Sequence, residues 1–182
     1  MNVRALLSTC AIAFALAGCA GTHALRVTDA SRPRALPEAG PVKVQWADPA
    51  QFTELRYSLN RSEAARGNWV VQLAEYIRDR AAKQLPAGER LDVEILDIER
   101  AGEYEYIFDP LADIRVMRDI HPPRMRLHLR RTAADGTVLE DGERRISDLA
   151  YLMGPQPLSS SDPLRYEKRM IDRWVRRELA TR

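Results

Sequence analysis

Met125-Arg126-Leu127-His128-Leu129-Arg130, followed by Ala134-Asp135-Gly136, is the stretch that decides the fold. Met125, Leu127 and Leu129 alternate with Arg126, His128 and Arg130, the period-two pattern of a strand with one buried and one wet face. Ala134-Asp135-Gly136 is a hairpin turn signal. The chain then returns through Thr137 to Glu140 and Arg144 to Leu149, with a predicted interruption at Asp141-Gly142. The core of the molecule is therefore an antiparallel sheet with one side against apolar cover.

Upstream, Arg90 to Glu99 reads as another strand, with Leu91, Val93 and Ile95 inward and Asp92 and Glu94 outward. The parity slips between Ile95 and Leu96, which predicts a bulge or an end of pairing there. Its acidic outer positions suit a neighbour carrying Arg126 and Arg130, since opposite charges across a strand pair are mildly stabilising. Val42, Val44 and Trp46 alternate with Lys43 and Gln45 in a first strand, which Asp48-Pro49 ends. From about Glu63 to Leu85 the apolar residues Trp69, Val70, Leu73, Tyr76, Ile77 and Ala81 recur on one helical face, and Pro86-Ala87-Gly88 stops that helix. A second helix is predicted from Asp162, as N-cap, and Pro163 to about Leu179, with Leu164, Ile171, Trp174 and Val175 as its stripe. Residues 101–122 form a long connection, with a short strand expected within Ile114 to Met117. The expected fold is α+β: a two-layer sandwich with a mainly antiparallel sheet of about four strands and two helices on one face, in the order β-α-β-β-β-α.

The N-terminus carries a different message. Met1-Asn2-Val3-Arg4 precedes an uncharged apolar run from Ala5 to about Ala17, and Leu16-Ala17-Gly18-Cys19 closes it. The run is shorter than the ~20 residues of a spanning helix and fits a lipoprotein signal cut before Cys19, whose thiol then carries lipid. The expected division is a signal peptide over 1–18, a lipidated cysteine and flexible tether over 19–40, and one domain over 41–182. Ala20 rather than Asp follows the cysteine, which by analogy with enteric bacteria favours the outer membrane, facing the periplasm. An ordinary signal, leaving a soluble periplasmic protein, is the alternative. Cys10 leaves with the signal and Cys19 is acylated, so the domain is expected to stand on its core without a disulfide.

The chain has 28 basic and 26 acidic residues. This near-balance gives no basic face of the kind nucleic acid requires. His23, His121 and His128 show no HxH or HExxH spacing, and the acidic residues Glu103, Glu105, Asp109, Asp113 and Asp119 do not form a calcium loop, so no metal or cofactor is expected. Ser159-Ser160-Ser161 lacks a G-x-S-x-G elbow, and no phosphate-binding glycine loop is present.

Several short blocks resemble, in order, one family of small proteobacterial lipoproteins and secreted proteins, the domain of unknown function 3016 family. They are Val44-Gln45-Trp46-Ala47-Asp48-Pro49, Leu91 to Ile98 with Ala101-Gly102, Asp113 to Asp119, Pro123-Arg124-Met125, Ser147 to Leu152, and Ser161 to Lys168. The resemblance runs over residues 41–179 and implies no activity, substrate or catalytic residue. By element order alone, the chain is also similar to auxiliary lipoproteins of envelope transport and assembly machines, a fold-level analogy.

The polar residues of those blocks are Asp113, Arg118, Asp119, Arg124, Asp148, Arg165 and Tyr166. They could form a binding surface where the 101–122 connection meets the last helix, or a structural network of ion pairs and caps, the commoner role of polar clusters in folds of this size. The functional expectation is a non-enzymatic, lipid-anchored domain binding an envelope protein or component, its membrane contact made through Cys19. The alternatives are an auxiliary subunit of a transport or assembly complex, or an enzyme of unrecognised type.

Overall fold

The computed structural model describes residues 24–105, 113–153 and 161–179. Cys19 and the expected signal segment lie outside them, as do Asp109 and Ser159-Ser160. The elements are β1 (Val42–Trp46), a 3-10 turn (Pro49–Gln51), α1 (Thr53–Tyr57), α2 (Arg61–Ala64), α3 (Trp69–Ala82), β2 (Arg90–Glu99), β3 (Glu103–Tyr104), β4 (Arg115–Val116), β5 (Arg124–Thr132), β6 (Val138–Ser147) and α4 (Arg165–Glu178). None of the described helices is long and apolar enough to cross a membrane.

The fold is α+β, built on a four-stranded sheet in the order β1-β2-β5-β6. The sheet is mixed. β2, β5 and β6 are antiparallel, while β1 runs parallel to β2 because α3 carries the chain back between them. Val42, Val44, Leu91, Val93, Ile95, Met125, Leu127 and Leu129 face one layer, where they meet Leu73 and Ile77 of α3 and Ile171, Trp174 and Val175 of α4. The helices are tied together where the Tyr76 hydroxyl donates to Asp172 at 3.0 Å and Arg80 pairs with the same carboxylate at 2.7 Å. The opposite face of the sheet is wet, with Asp92 opposite Arg130, Glu94 opposite His128 and Glu99 opposite Arg124. The two strands are neighbours as their charges suggested and Asp92 does face Arg130, but Arg126 falls opposite Asp97 rather than Glu94.

Local departures from expectation have local causes. The register of β2 against β5 shifts between Ile95 and Asp97, as the parity slip at Leu96 requires. β6, expected to break at Asp141-Gly142, pairs straight through, with Gly142 opposite Leu129. Its residues before Ile146 are exposed or half-buried, so loss of apolar alternation costs it nothing. The helix expected from Glu63 splits at Gly67, whose φ of +87° ends α2 and turns the chain into α3. At the last helix, Asp162 Oδ1 accepts the Leu164 N–H at 2.8 Å as a cap would, but regular helix begins at Arg165 after a turn through Pro163-Leu164.

The described part of the expected tether is docked. The Val27 N–H donates to the Ala65 carbonyl and the Gly67 N–H to that of Leu25, at 2.9 and 2.7 Å. Leu36 and Trp46 then donate to Val44 and Arg34, each at 2.9 Å, which lays the segment along the free edge of β1. Val27 and Leu36 pack on the core. Covering an edge strand in this way removes a template for pairing with another chain. A composition rich in proline and charge does not reveal such a contact, because its bonds are made by the backbone.

Candidate functional site

The C-terminal ends of β1 and β2, the start of β5, the end of β6 and the start of α4 meet at one end of the sheet. The β3–β4 hairpin closes that end, pairing Glu103 with Val116 and Tyr104 with Arg115. Gly102 makes the hairpin possible, with a φ of +74° and a backbone pressed against Val116. Beneath it lies a small second core of Ala101, Tyr151 and Tyr166, with Met117 packed against it. The two tyrosine rings meet edge to face at 4.9 Å.

Five of the seven polar residues singled out in sequence make specific bonds at this end. Asp148 is interior and is gripped from α4 by Arg169 at 3.1 Å and Arg173 at 2.6 Å. Arg165 lies over the buried Tyr166 ring at 4.4 Å. Arg118 pairs with Glu105 at 2.6 Å, and its carbonyl accepts the Tyr151 hydroxyl at 2.6 Å. Arg124 pairs with Glu99 at 2.9 Å on the outer sheet face. Asp113 and Asp119 are exposed. Asp148 and Tyr166 thus hold α4 to the loops, while Arg118, Asp119, Asp113 and Arg124 are the members solvent reaches. Of the other residues weighed in sequence, Glu103 accepts from the Ser58 hydroxyl at 3.2 Å, and His128 pairs with Asp141 at 3.0 Å.

The strongest electrostatic feature was not legible in the sequence. Glu54 of α1 is buried, and its carboxylate is held on both sides by arginines. Arg100 donates from its backbone N–H at 2.9 Å and its guanidinium at 2.9 and 3.1 Å, while Arg115 donates at 2.6 and 2.9 Å. Arg115 also donates to the carbonyls of Arg100, Ala101 and Gly102, at 3.1, 2.6 and 2.8 Å. Its guanidinium also lies over the Tyr104 ring, and that of Arg100 over Trp69. Burial pushes the Glu54 carboxyl up, but Arg100 and then Arg115 outweigh it, so the group stays ionised below the ordinary carboxyl range. The residues come from segments 46 and 61 positions apart, and nothing in their local spacing marks them as partners.

Glu167 is the contrasting carboxyl. Its Oε1 accepts the Ala101 N–H at 2.7 Å, while Oε2 is buried with no hydrogen-bond partner among the described residues. Burial raises its proton affinity, and the Ala101 N–H offsets this only in part. A carboxyl with a raised folded-state pKa favours folding below the unfolded value of 4.5 and opposes it as pH climbs through the folded value. Glu167→Gln keeps an acceptor for Ala101 and removes the titration. Its stability relative to wild type is therefore expected to rise as pH climbs from 4.5 through the folded value, as read by urea unfolding at a series of pH values. A constant difference from acid to neutral pH would refute this.

Among the described residues, this end of the molecule holds no free cluster of convergent acid and base. Arg115 is committed to Glu54 and three carbonyls, and Asp148 to two arginines. The chemistry of the arrangement is that of a clamp, which fixes the hairpin, α1 and α4 to one another. Its outer surface shows Ile114, Ile120, Leu149, Leu152 and Met153 to solvent, with Met153 88% and Leu149 71% exposed.

No curated protein and no solved structure matches the chain. The family model described as Protein of unknown function (DUF3016) matches residues 40–177. That span runs from just before β1 to the penultimate residue of α4 and takes in every strand of both sheets, and on this match the chain belongs to the DUF3016 family.

Proposed function

We propose that the protein is a lipid-anchored domain of the bacterial envelope, facing the periplasm from the outer membrane, which binds a protein partner rather than catalysing a reaction. One observation carries the binding part of the reading. At the clamped end, the buried Glu54 and Asp148 and the half-buried Arg100 and Arg115 are spent on internal bonds, while Ile114, Ile120, Leu149, Leu152 and Met153 face solvent around Arg118 and Asp119. Exposed apolar side chains gathered beside charged ones are the usual make-up of an interaction surface. The address rests on Leu16-Ala17-Gly18-Cys19 behind an uncharged apolar run.

Both parts can be tested in one strain. Cys19→Ala is expected to abolish palmitate labelling and shift the chain out of the membrane fraction, and unchanged labelling would reject the lipid anchor. A photo-crosslinker at Met153 is expected to give a discrete adduct that one at Asp135, on the far hairpin turn, does not. Leu149→Asp is expected to remove that adduct. Adducts of equal yield at both positions, or none at Met153 in any envelope fraction, would reject the binding surface.

A further inference from the structure

The docked N-terminal segment fixes how the domain can sit on a membrane. Leu25 is bonded to Gly67, so the chain is held to the domain from that point on. From Cys19 to Leu25 is six residues, at most about 21 Å of extended chain. The entry point lies beside α2 and the start of α3. The hairpin turn around Asp135 is at the other end of β5, about 30 Å away along the nine-residue strand. A lipid on Cys19 therefore tethers one particular end closely.

The surface at that entry point combines exposed apolar and basic side chains. Tyr57 is 66% and Leu25 51% exposed, and Leu59 is exposed beside them. Arg26, Arg56, Arg61 and Arg66 are also exposed, and Arg56 lies over the Tyr57 ring at 5.3 Å. α2 joins these residues: Arg26 bridges to Arg66 in backbone pairing and donates to Ser62 at 3.3 Å, and the neighbouring Arg61 donates to the Arg56 carbonyl at 3.0 Å. Within residues 56–67 the only acid is Glu63, which pairs with Arg66 at 2.5 Å. Tyrosine with its polar tip and apolar ring, leucine, and arginine able to fork onto phosphate are the side chains that suit the headgroup layer of a bilayer.

We infer that Leu25, Arg56, Tyr57, Leu59, Arg61 and Arg66 dock on the phospholipid headgroups of the bilayer that holds Cys19. The inference rests on the lipid anchor proposed above. It sets the domain's orientation: the entry patch lies on the membrane, and the neighbouring surface around Ile120 and Met153 is held close to it, where a membrane-embedded partner would meet it.

The test uses the full lipidated chain reconstituted into vesicles of phosphatidylethanolamine and phosphatidylglycerol, part of the lipid brominated in its acyl chains. A bimane label at Tyr57→Cys is expected to be quenched by the brominated lipid, and one at Asp135→Cys is not. Reversing Arg56, Arg61 and Arg66 together to Glu is expected to release that quenching, each arginine shifting the docked population by about five-fold. Palmitate labelling of the same preparation separates the two ideas. With lipid present and equal quenching, or none, at both labels, the docking surface is wrong and the anchor stands. With no lipid on the chain, both fall. A Tyr57→Cys label shielded from aqueous iodide but untouched by brominated lipid would mean that a protein, or a second copy of the chain, covers the patch, and would also overturn the inference.

Discussion

Glu54→Ala is expected to lower stability by about 3–5 kcal/mol, the cost of breaking a buried ion pair from one side. The carboxylate is almost wholly interior, with only 2% of its side chain exposed, and so are most of the guanidiniums that hold it. Removing it leaves Arg100 and Arg115 facing each other over a vacated volume, each still charged and each short of acceptors. Since domains of this kind are stable by only about 5–15 kcal/mol, the variant should approach the limit of folding at physiological temperature. Urea unfolding is expected to show a lower midpoint with an unchanged slope, because the same surface is exposed on unfolding. A loss below about 1 kcal/mol would mean that the cluster is hydrated and that its buried geometry is misleading. Pairing Glu54→Ala with Arg115→Met is expected to cost less than the sum of the two changes, since the second removes the charge stranded by the first. The pH dependence follows from the sign of the shift. A carboxyl held below its unfolded value of 4.5 stabilises the fold above that pH, and the contribution disappears as pH falls through the lower, folded value. Wild type should lose stability in acid more steeply than Glu54→Ala does.

Why this cluster escaped a reading of the sequence, while the sheet did not, is a matter of range. The β2 and β5 strands announce themselves because each has one apolar face, and alternation over six to ten residues is a local signal. The Leu96 bulge was legible for the same reason, as a slip in that alternation. So were the facing charges of β2 and β5, once the strands were taken as neighbours. The parallel placing of β1 follows from the helix between β1 and β2 rather than from either strand, and the other two pairings keep the sheet mainly antiparallel, as expected. β6 carries almost no apolar face after the turn, and its continuity through Asp141-Gly142 is supplied by β5. Glu54, Arg100 and Arg115 are ordinary charged residues in their own segments, and only the closure of the hairpin over α1 makes them partners. Of the polar residues singled out in sequence, Asp148 and Tyr166 turn out to be interior, which gives them the structural role. Arg118 and Asp119 stay on the surface with the exposed apolar groups. Those apolar groups escaped the reading because an isolated leucine or methionine in a loop carries no sign of whether it is buried.

Gly102→Ala carries the second largest expected effect, a loss of about 3 kcal/mol in which two separable costs add. The first is conformational. At a φ of +74° an L side chain is strained, which costs about 1–2 kcal/mol. Gly136 measures this term alone, because its φ is +87° and a methyl added there meets nothing within 4 Å. The second cost is steric and belongs to Gly102. A β-carbon there would lie 2.6 Å from the Val116 carbonyl oxygen and 2.8 Å from the Met117 sulfur. The sulfur can swing aside, but the carbonyl is backbone, and moving it pulls β4 away from β3. Arg115 is the residue next to Val116 on β4, so the same movement loosens its grip on Glu54 and on the Gly102 carbonyl, coupling the hairpin to the ion cluster. Gly102→Ala is therefore expected to destabilise by clearly more than Gly136→Ala in urea unfolding. Its effect should also be less than additive with Glu54→Ala, because each variant gives up part of what the other would. Equal losses at the two glycines would show that the hairpin yields without cost. The functional consequence runs through Ile114, which precedes Arg115 and stands at the rim of the proposed binding surface. Loosening the hairpin displaces that rim, whereas Gly136→Ala perturbs the far end of the sheet. At temperatures where both variants remain folded, the crosslink from Met153 should weaken in Gly102→Ala and persist in Gly136→Ala.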